Sequence, residues 1–256
     1  MMLAIETQDL TRWFGNLCAV DHLDLQIETG KFYGFLGPNG AGKSTTLKML
    51  TGLLAPSSGT MRILDENLAD PRQALAAKRR VGVVPENLAL FDNLTAREYL
   101  TFIGRMYGMP LETVRERSQE LLAVMDLENE EKKLTVEFSH GMKKKLALAA
   151  ALLPNPEVLF LDEPFEGVDP VASRVLRDTL TRCVARGATV FLTSHILEIV
   201  EKLCTDVGIV AKGKLVFQGS MAEIRQGGAT LEDRFLAVVG GDPVERQELS
   251  WLESES

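Results

Sequence analysis

Short apolar runs bounded by turn residues recur along this chain and predict buried β-strands. They are KFYGFLG at 31–37, RVGVVPE at 80–86, EVLFLDEP at 157–164, ATVFLTSH at 188–195 and DVGIVAKG at 206–213. Continuous apolar strands separated by helical patterns favour a mostly parallel sheet covered on both faces. Residues 23–29, LDLQIET, alternate apolar and polar side chains instead. This alternation predicts a half-exposed strand, which we place in an antiparallel N-terminal β part.

A different pattern fills the interval between the second and third of these runs. Residues 95–127 carry apolar side chains at helical spacing, with a break at Pro110. We therefore expect an α/β core with an α-helical subdomain inserted at about residues 87–153. The core domain is expected to cover residues 1–236, and the acidic stretch 237–256 is expected to form a flexible tail.

Composition excludes several kinds of protein. The formal charge of −8 over 256 residues argues against a general nucleic-acid surface, which needs a basic excess. Three cysteines without a C-x-x-C spacing indicate reduced, mostly buried thiols in the cytosol. The longest charge-free apolar run, Leu146 to Leu153, is far shorter than the roughly 20 residues that span a bilayer. We therefore do not expect the chain to cross a membrane by itself.

A glycine-rich stretch directly follows the first buried strand. GPNGAGKS fits the spacing G-x-x-x-x-G-K-[ST], a loop whose backbone N–H groups can close around phosphate because no Cβ intervenes. Lys43 would reach the β- and γ-phosphates and Ser44 would ligate Mg²⁺, while the following helix would direct its positive end at the charge. The sequence thus predicts a P-loop NTPase fold. The nucleotide-binding residues predicted in this loop are Gly37, Pro38, Asn39, Gly40, Ala41, Gly42, Lys43, Ser44 and Thr45.

The predicted strand VLFLD ends at Asp162, and a second acid, Glu163, follows directly. Asp162 is predicted to hold the magnesium, and Glu163 is predicted to polarise an attacking water as general base. Taken alone, such a pair could equally cap a helix or lie in a solvated turn. Asp162 follows Gly37 by 125 residues, far more than one βα crossover uses, so the helical insertion must lie between the two motifs.

With both motifs in place, residues 3–236 resemble the nucleotide-binding subunit of ATP-binding cassette (ABC) transporters. That family carries a signature loop, commonly L-S-G-G-Q, where this chain has FSHGM. Ser139 and Gly141 match the loop, whereas Phe138, His140 and Met142 depart from it. The resemblance implies that Ser139 and Gly141 contact ATP bound to the opposite subunit, in a head-to-tail pair with two nucleotides between the chains. The other interpretation is an ordinary capped helix with a basic exposed face at 143–145.

The resemblance assigns further positions. Glu86 stands where the family usually has a glutamine that reaches the metal and the attacking water, and His195 resembles its switch histidine at the γ-phosphate. Asp169 resembles the loop that communicates between the two sites, although it could also cap a helix before Pro170. Phe14 aligns with the aromatic that stacks on adenine. Trp13 is the competing candidate, and core packing is the alternative for both.

The resemblance implies an ATPase that powers transport. Glu163 would orient water, and Lys43, Ser139 and His195 would stabilise the transferred charge. Catalytic roles are thus assigned to Glu163, His195, Lys43 and Glu86, and Mg²⁺ ligation to Ser44, Asp162 and Glu86. The ligands are ATP and Mg²⁺.

The expected partners are a transmembrane permease subunit and a second ATPase subunit, with no nucleic acid. The chain would lie in the cytoplasm, on the inner face of the cell membrane through its partner. The permease would dock in a groove lined by the insertion and by Leu88, Leu90 and Phe91, which could equally be core residues. The motifs VPEN and SHGM and the ending TLEDRFLAVVGG resemble the exporter-like (ABC-2 type) subgroup.

Two rival functions remain at this point. One is a soluble ABC-type ATPase that acts on nucleic acid or the ribosome. Such proteins generally carry two cassettes or a long coiled coil, together with a basic contact region, whereas this chain has one cassette and net negative charge. The other is a P-loop kinase, which would need an acceptor-binding lid and would leave SHGM unexplained.

Overall fold

The computed structural model describes residues 2–226, 228 and 230–240. The strands of this part of the chain are β1 Leu3–Phe14, β2 Leu17–Glu28, β3 Phe32–Leu36, β4 Ser58–Ile63, β5 Glu66–Asn67, β6 Val81–Val84, β7 Val158–Asp162, β8 Thr189–Ser194, β9 Asp206–Ala211 and β10 Lys214–Ser220. The helices are α1 Lys43–Leu50, α2 Pro71–Arg79, α3 Ala96–Met106, α4 Leu111–Val124, α5 His140–Leu152, α6 Pro170–Ala185, α7 Leu197–Leu203, α8 Met221–Gln226 and α9 Leu231–Val239. Short 3₁₀ turns lie at Glu128–Glu130 and Thr135–Glu137.

The five apolar runs form five adjacent strands of a six-stranded sheet with the order β10-β9-β3-β8-β7-β6. The pairings β9–β3, β3–β8, β8–β7 and β7–β6 are parallel, and only β10 runs antiparallel to its neighbour β9. Every residue of β3, β7 and β8 is buried, as expected for strands covered on both faces. The prediction of a mostly parallel sheet is confirmed.

Alternate side chains of this sheet enter two different cores, because successive residues of a strand point to opposite faces. Leu159 and Leu161 of β7 belong to a cluster formed with side chains of the insertion and of α6. Val158 and Phe160 belong to a second cluster, formed with α1 and the N-terminal strands. The sheet therefore separates the two cores and contributes side chains to both. Several residues of the candidate site lie at the edge where its parallel strands have their carboxyl ends.

The N-terminal strands form a separate antiparallel sheet with the order β2-β1-β4-β5. The predicted strand at 23–29 coincides with the second half of β2 except for its last residue, and Leu23, Leu25 and Ile27 are buried while the polar residues between them are exposed. The antiparallel N-terminal part is thus confirmed, although the sequence patterns had assigned no strand to residues 3–14.

The insertion lies between β6 and β7, as predicted. Its first helix, α3, has a capping box in which Thr95 accepts from the Glu98 amide and Glu98 accepts from the Thr95 amide. Pro110 stands at the N-cap of α4, so the predicted break separates the two helices. Helix α9 continues to Val239, three residues beyond the predicted domain boundary, and residues 241–256 of the predicted tail lie outside the described residues.

None of the described helices is long and apolar enough to cross a bilayer. The three cysteines are free, but only Cys204 is buried, while Cys18 and Cys183 remain partly accessible. The expectation of mostly buried thiols is therefore wrong for two of the three.

Candidate nucleotide-binding site

The glycine loop connects the end of β3 to the start of α1, as the motif predicts. A Cβ on Gly37 would lie 2.4 Å from the Val210 carbonyl oxygen, and one on Gly42 would lie 2.4 Å from that of Ala19. Gly40 and Gly42 also have positive φ values of 78° and 104°, which residues with a side chain rarely adopt. The loop can follow this path only with glycine at these positions, and it opens at the N-terminus of α1, where free amides attract anions.

The ammonium of Lys43 is folded back over this loop. Its Nζ donates to the carbonyl oxygens of Gly37 at 2.8 Å and Pro38 at 3.3 Å, and lies 3.8 Å from Glu163 Oε1. The side chain is buried. A buried cation beside free amides can bind a polyphosphate, which would replace the neutral carbonyls as its partner.

Asp162 meets Ser44 although the two are far apart along the chain. The hydroxyl of Ser44 donates to Asp162 Oδ1 at 3.2 Å, and the hydroxyl of Thr193, from β8, donates to the same oxygen at 2.5 Å. Asp162 is buried at the carboxyl end of β7. The next helix begins only at Pro170 and is capped by Asp169, so the alternative in which the two acids cap a helix is wrong.

Glu163 has an unusual backbone conformation, with φ = 45°. Its amide donates to Thr193 Oγ1 at 3.1 Å, and its carbonyl oxygen accepts from Lys144 Nζ at 2.9 Å. Its carboxylate oxygen Oε1 lies 3.1 Å from Nδ1 of His195, the residue that follows β8. The other oxygen, Oε2, is buried without a hydrogen-bond partner among the described atoms. Strained backbone and an unpaired buried polar atom are typical of functional sites, where a ligand or water completes the bonding.

Ser44 and Asp162 suit Mg²⁺, since Mg²⁺ is usually held by one or two carboxylates and completes its shell with phosphate and water. Among the described residues, no group of three or more His, Cys, Asp or Glu side chains could hold a metal. Glu86 is exposed just after β6. Because Val84 pairs with Leu161 in the parallel ladder, Glu86 emerges from the same edge of the sheet as Asp162. Its role as a metal ligand stays a prediction.

The signature segment forms the start of α5. Ser139 is the N-cap, and its hydroxyl accepts from the Met142 amide at 3.2 Å, as predicted for a capping serine. Both Ser139 and His140 are exposed. The interpretation of 143–145 as a basic exposed face is wrong, because Lys144 and Lys145 are only 3% and 7% exposed.

Asp169 and Gly141 are in contact within one chain. A Cβ on Gly141 would lie 3.0 Å from Asp169 Oδ2. Asp169 is also the N-cap of α6, where its Oδ1 accepts from the Val171 and Ala172 amides, each at 3.0 Å. These amides, that of Ala172 above all, hold the pKa of Asp169 below its ordinary value. The starts of α5 and α6 therefore share one contact, and Asp169 serves as a cap whatever else it does.

The aromatic candidates lie at the tip of the β1–β2 hairpin, where Phe14 pairs with Leu17. Phe14 is 45% exposed and Trp13 is 49% exposed, so neither is a core residue. The guanidinium of Arg12 lies 4.7 Å from the centre of the Phe14 ring. Because Ala19 of β2 closely approaches Gly42, the hairpin lies beside the glycine loop.

Two residues that hold Glu163 had been missed by the sequence analysis. Thr193 stands two positions before His195, and nothing in FLTSH marks its hydroxyl as a partner of both acids. Lys144 lies in a run of three lysines, and the run as such does not show which one is buried. Its spacing of four residues from Leu148, on one face of α5, was the available signal.

Comparison with known proteins agrees with this geometry. A protein-family model described as ABC transporter matches residues 20–166. The chain is 41% identical over 217 residues to the bacitracin transport ATP-binding protein of Bacillus licheniformis, with 84% of this chain and 69% of that protein covered. It is 39% identical over 254 residues to the Nod factor export ATP-binding protein I of Paraburkholderia xenovorans, with 97% and 81% covered. A solved ATP-binding subunit of an ABC transporter superposes with a TM-score of 0.85 at 30% identity, covering 92% of this chain and 99% of that one.

Proposed function

Since the chain belongs to the ABC transporter family, as an ATP-binding subunit, we propose that it binds and hydrolyses ATP to power export through a separate transmembrane partner. The observation that carries this proposal is the meeting of two distant motifs. Ser44 bonds Asp162 at 3.2 Å, and Lys43 lies 3.8 Å from Glu163. A phosphate-binding loop with two acidic residues beside it is suited to cleaving the terminal phosphate of a nucleotide.

Each residue has a role that follows from its position. The backbone amides of the glycine loop and the ammonium of Lys43 bind the phosphate chain. Glu163 accepts a proton from the attacking water through its carboxylate, and His195, 3.1 Å from Oε1, orients that carboxylate. When bound, Mg²⁺ held by Ser44 and Asp162 would neutralise charge on the phosphates.

Exposed Ser139 and His140 support a role for the start of α5 in binding a second chain's nucleotide. The N-terminus of α5 can attract an anion, and its first residues are open to a second molecule, so we infer that the phosphate it meets belongs to a partner ATPase subunit. Phe14 is the residue proposed to stack on the adenine ring of ATP, and the guanidinium of Arg12 lies against the Phe14 ring.

A groove of about 180 Å³ beside β6 supports the proposed transmembrane partner. Its lining includes Leu88, Leu90, Tyr99 and Ile103. Leu88 and Leu90 are partly buried against the core, whereas Phe91 is 46% exposed. The groove thus has an apolar lining, and the accessible ring of Phe91 lies 6.2 Å from that of Tyr99, one of its lining residues. This combination suits the docking of a partner's helix. Through this partner the chain would lie on the cytoplasmic face of the membrane.

The alternative of a soluble ABC-type ATPase acting on nucleic acid or the ribosome gains no support. The relatives described above are named for transport and export. The chain's formal charge of −8 also disfavours a nucleic-acid partner.

The proposal is tested by Glu163→Gln in the full chain. Loss of the general base should lower kcat by about 10²-fold or more, whereas Mg·ATP should still bind. Because products no longer separate the subunits, a nucleotide-bound dimer should accumulate, measured by size-exclusion chromatography with light scattering. The control is Glu198→Gln, the same change at an exposed residue of α7 that pairs only with Lys202 in the described structure. A Glu163→Gln variant that hydrolyses ATP at the wild-type rate would falsify the assignment of the base.

A further inference from the structure

Lys144 is a buried cation to which the proposed function assigns no role. It lies in α5, one turn after Gly141, and is only 3% exposed. A lysine is seldom buried unless its ammonium is bonded. Here the ammonium donates to the carbonyl oxygen of Glu163 at 2.9 Å. The helical insertion therefore reaches the proposed general base directly.

This bond acts on the strained residue of the site. Glu163 has a φ of 45°, which a residue with a side chain adopts only when its surroundings hold it there. Its amide is held by Thr193 Oγ1 at 3.1 Å, and its carbonyl oxygen accepts from Lys144 and, at 3.3 Å, from the Glu166 amide. The two side-chain bonds come from β8 and from α5. The direction of the Glu163 carboxylate thus depends on elements on both sides of it.

The same ammonium also lies among acids. Burial lowers the pKa of Lys144 below its ordinary value, and the carboxylates of Glu166, Asp162, Glu86 and Glu163 act against that shift by favouring the charged ammonium. Lys43 is the other buried cation close to Glu163, but the phosphate chain would compete for its charge. Among the described residues, the Lys144 ammonium donates only to the backbone carbonyl oxygen of Glu163, so its charge would remain with the acids when nucleotide binds.

We propose that Lys144 is a positioning residue for ATP hydrolysis, whose bond to the Glu163 carbonyl oxygen holds the carboxylate of Glu163 in the direction that catalysis requires. The inference rests on the proposed function, because it matters only if Glu163 is the general base. It adds a residue of the helical insertion that acts on the reaction through Glu163. It also gives the α5 helix two functions, since Ser139 begins the helix and Lys144 lies five residues later.

The test is Lys144→Met in the full chain, which removes the donor and keeps a side chain of similar length. Misplacement of Glu163 should lower kcat by about tenfold or more, while KM for ATP and the affinity for Mg·ADP change by less than about twofold. Lys144→Arg should restore much of kcat, since it returns a charged donor. Lys143→Met is the matched control, one position earlier in α5, and should leave kcat within about twofold of the wild type. Thermal unfolding reports whether each variant is folded.

Further outcomes separate this inference from its premise. If Glu163→Gln lowers kcat but folded Lys144→Met does not, the role of Lys144 is wrong and the proposed function stands. If Glu163→Gln keeps the wild-type rate, the proposed function fails and the inference fails with it. The double variant should be no slower than Glu163→Gln alone, because both changes act through one carboxylate; a full additional loss would mean that Lys144 acts elsewhere. If neither Lys144→Met nor Lys144→Gln folds, the ammonium is needed for folding rather than for placing Glu163, and the proposal is overturned.

Discussion

Glycine is favoured at positions 42 and 187 for different physical reasons. Both have a left-handed backbone, with φ values of 104° and 96°. A Cβ on Gly42 would meet the Ala19 carbonyl oxygen at 2.4 Å, whereas one on Gly187 would meet nothing within 4 Å. At Gly187 only the backbone conformation favours glycine. At Gly42 there is, in addition, no space for a side chain.

These two positions therefore separate conformational strain from steric exclusion. Gly187→Ala should lower the free energy of unfolding by about 1–2 kcal/mol, the usual cost of a left-handed conformation for a residue with a Cβ. Gly42→Ala should lose a further 1–3 kcal/mol or so through overpacking, and it should also weaken the binding of Mg·ADP. Urea denaturation and titration calorimetry measure the two effects. Equal losses of stability in both variants would show that the contact with Ala19 is relieved without cost.

At the scale of elements, α5 and α2 have equivalent N-terminal caps but different surroundings. Ser139 accepts from the Met142 amide at 3.2 Å, and Asp70 accepts from the Arg72 amide at 2.8 Å. The start of α5 contacts Asp169 through Gly141 and is proposed to face a second chain's nucleotide. The start of α2, in contrast, lies outside the candidate site.

Removing either cap should destabilise the protein to a similar extent. Ser139→Ala and Asp70→Ala should each lower the free energy of unfolding by about 1 kcal/mol, measured by urea denaturation. Only Ser139→Ala should also reduce the ATPase rate and the ATP-dependent dimerisation, because only that hydroxyl lies in the proposed intersubunit site. Reduced ATPase activity in the Asp70→Ala control would instead attribute both effects to general loss of stability.

For the whole molecule, the groove beside β6 is the surface through which the proposed cycle would reach a membrane partner. Phe91 packs edge-on against Phe102 with ring centres 5.1 Å apart, and its ring lies 6.2 Å from that of Tyr99, which lines the groove. Three neighbouring aromatic rings, of which Phe91 and Phe102 are 46% and 41% exposed, form an accessible apolar patch of a kind that marks interaction surfaces.

Phe91→Ser should therefore weaken the association with the transmembrane partner. The measurement is recovery of the chain with integral membrane proteins after purification from detergent-solubilised membranes. Loss of one exposed aromatic anchor commonly weakens an interface by about 2 kcal/mol or more, so the recovered fraction should fall several-fold. Leu53→Ser is the control, since Leu53 is 70% exposed after α1 and lies outside the groove. Circular dichroism checks that both variants are folded. If both variants are recovered with the membrane fraction as efficiently as the wild type, docking through this aromatic patch is wrong.

Features that depend on neighbouring residues were determined by the sequence itself. The glycine loop, the apolar strands and the cap at Ser139 each depend on contacts within a few residues, so their spacing predicts them. The acidic pair could be interpreted only together with the loop, because Ser44 and Asp162 are separated by 118 residues and meet only at the sheet edge. The sequence likewise predicted a mostly parallel sheet but not the order of its strands. That order, with β3 between β8 and β9, is set by the fold.

Only the tertiary structure decided which residues hold Glu163, the proposed general base. Lys144 and Thr193 reach Glu163 from positions 19 and 30 residues away, from a helix of the insertion and from the adjacent strand. A lysine run looks alike whether its members face water or the core, and a threonine in a buried strand gives no sign of its partner. The burial of Lys144 and the bonds of Thr193 arise from the packing of whole elements against one another. The spacing of Lys144 from Leu148 can indicate which lysine is buried, but no local pattern encodes a contact with Glu163, so the roles of these two residues become visible only in the folded chain.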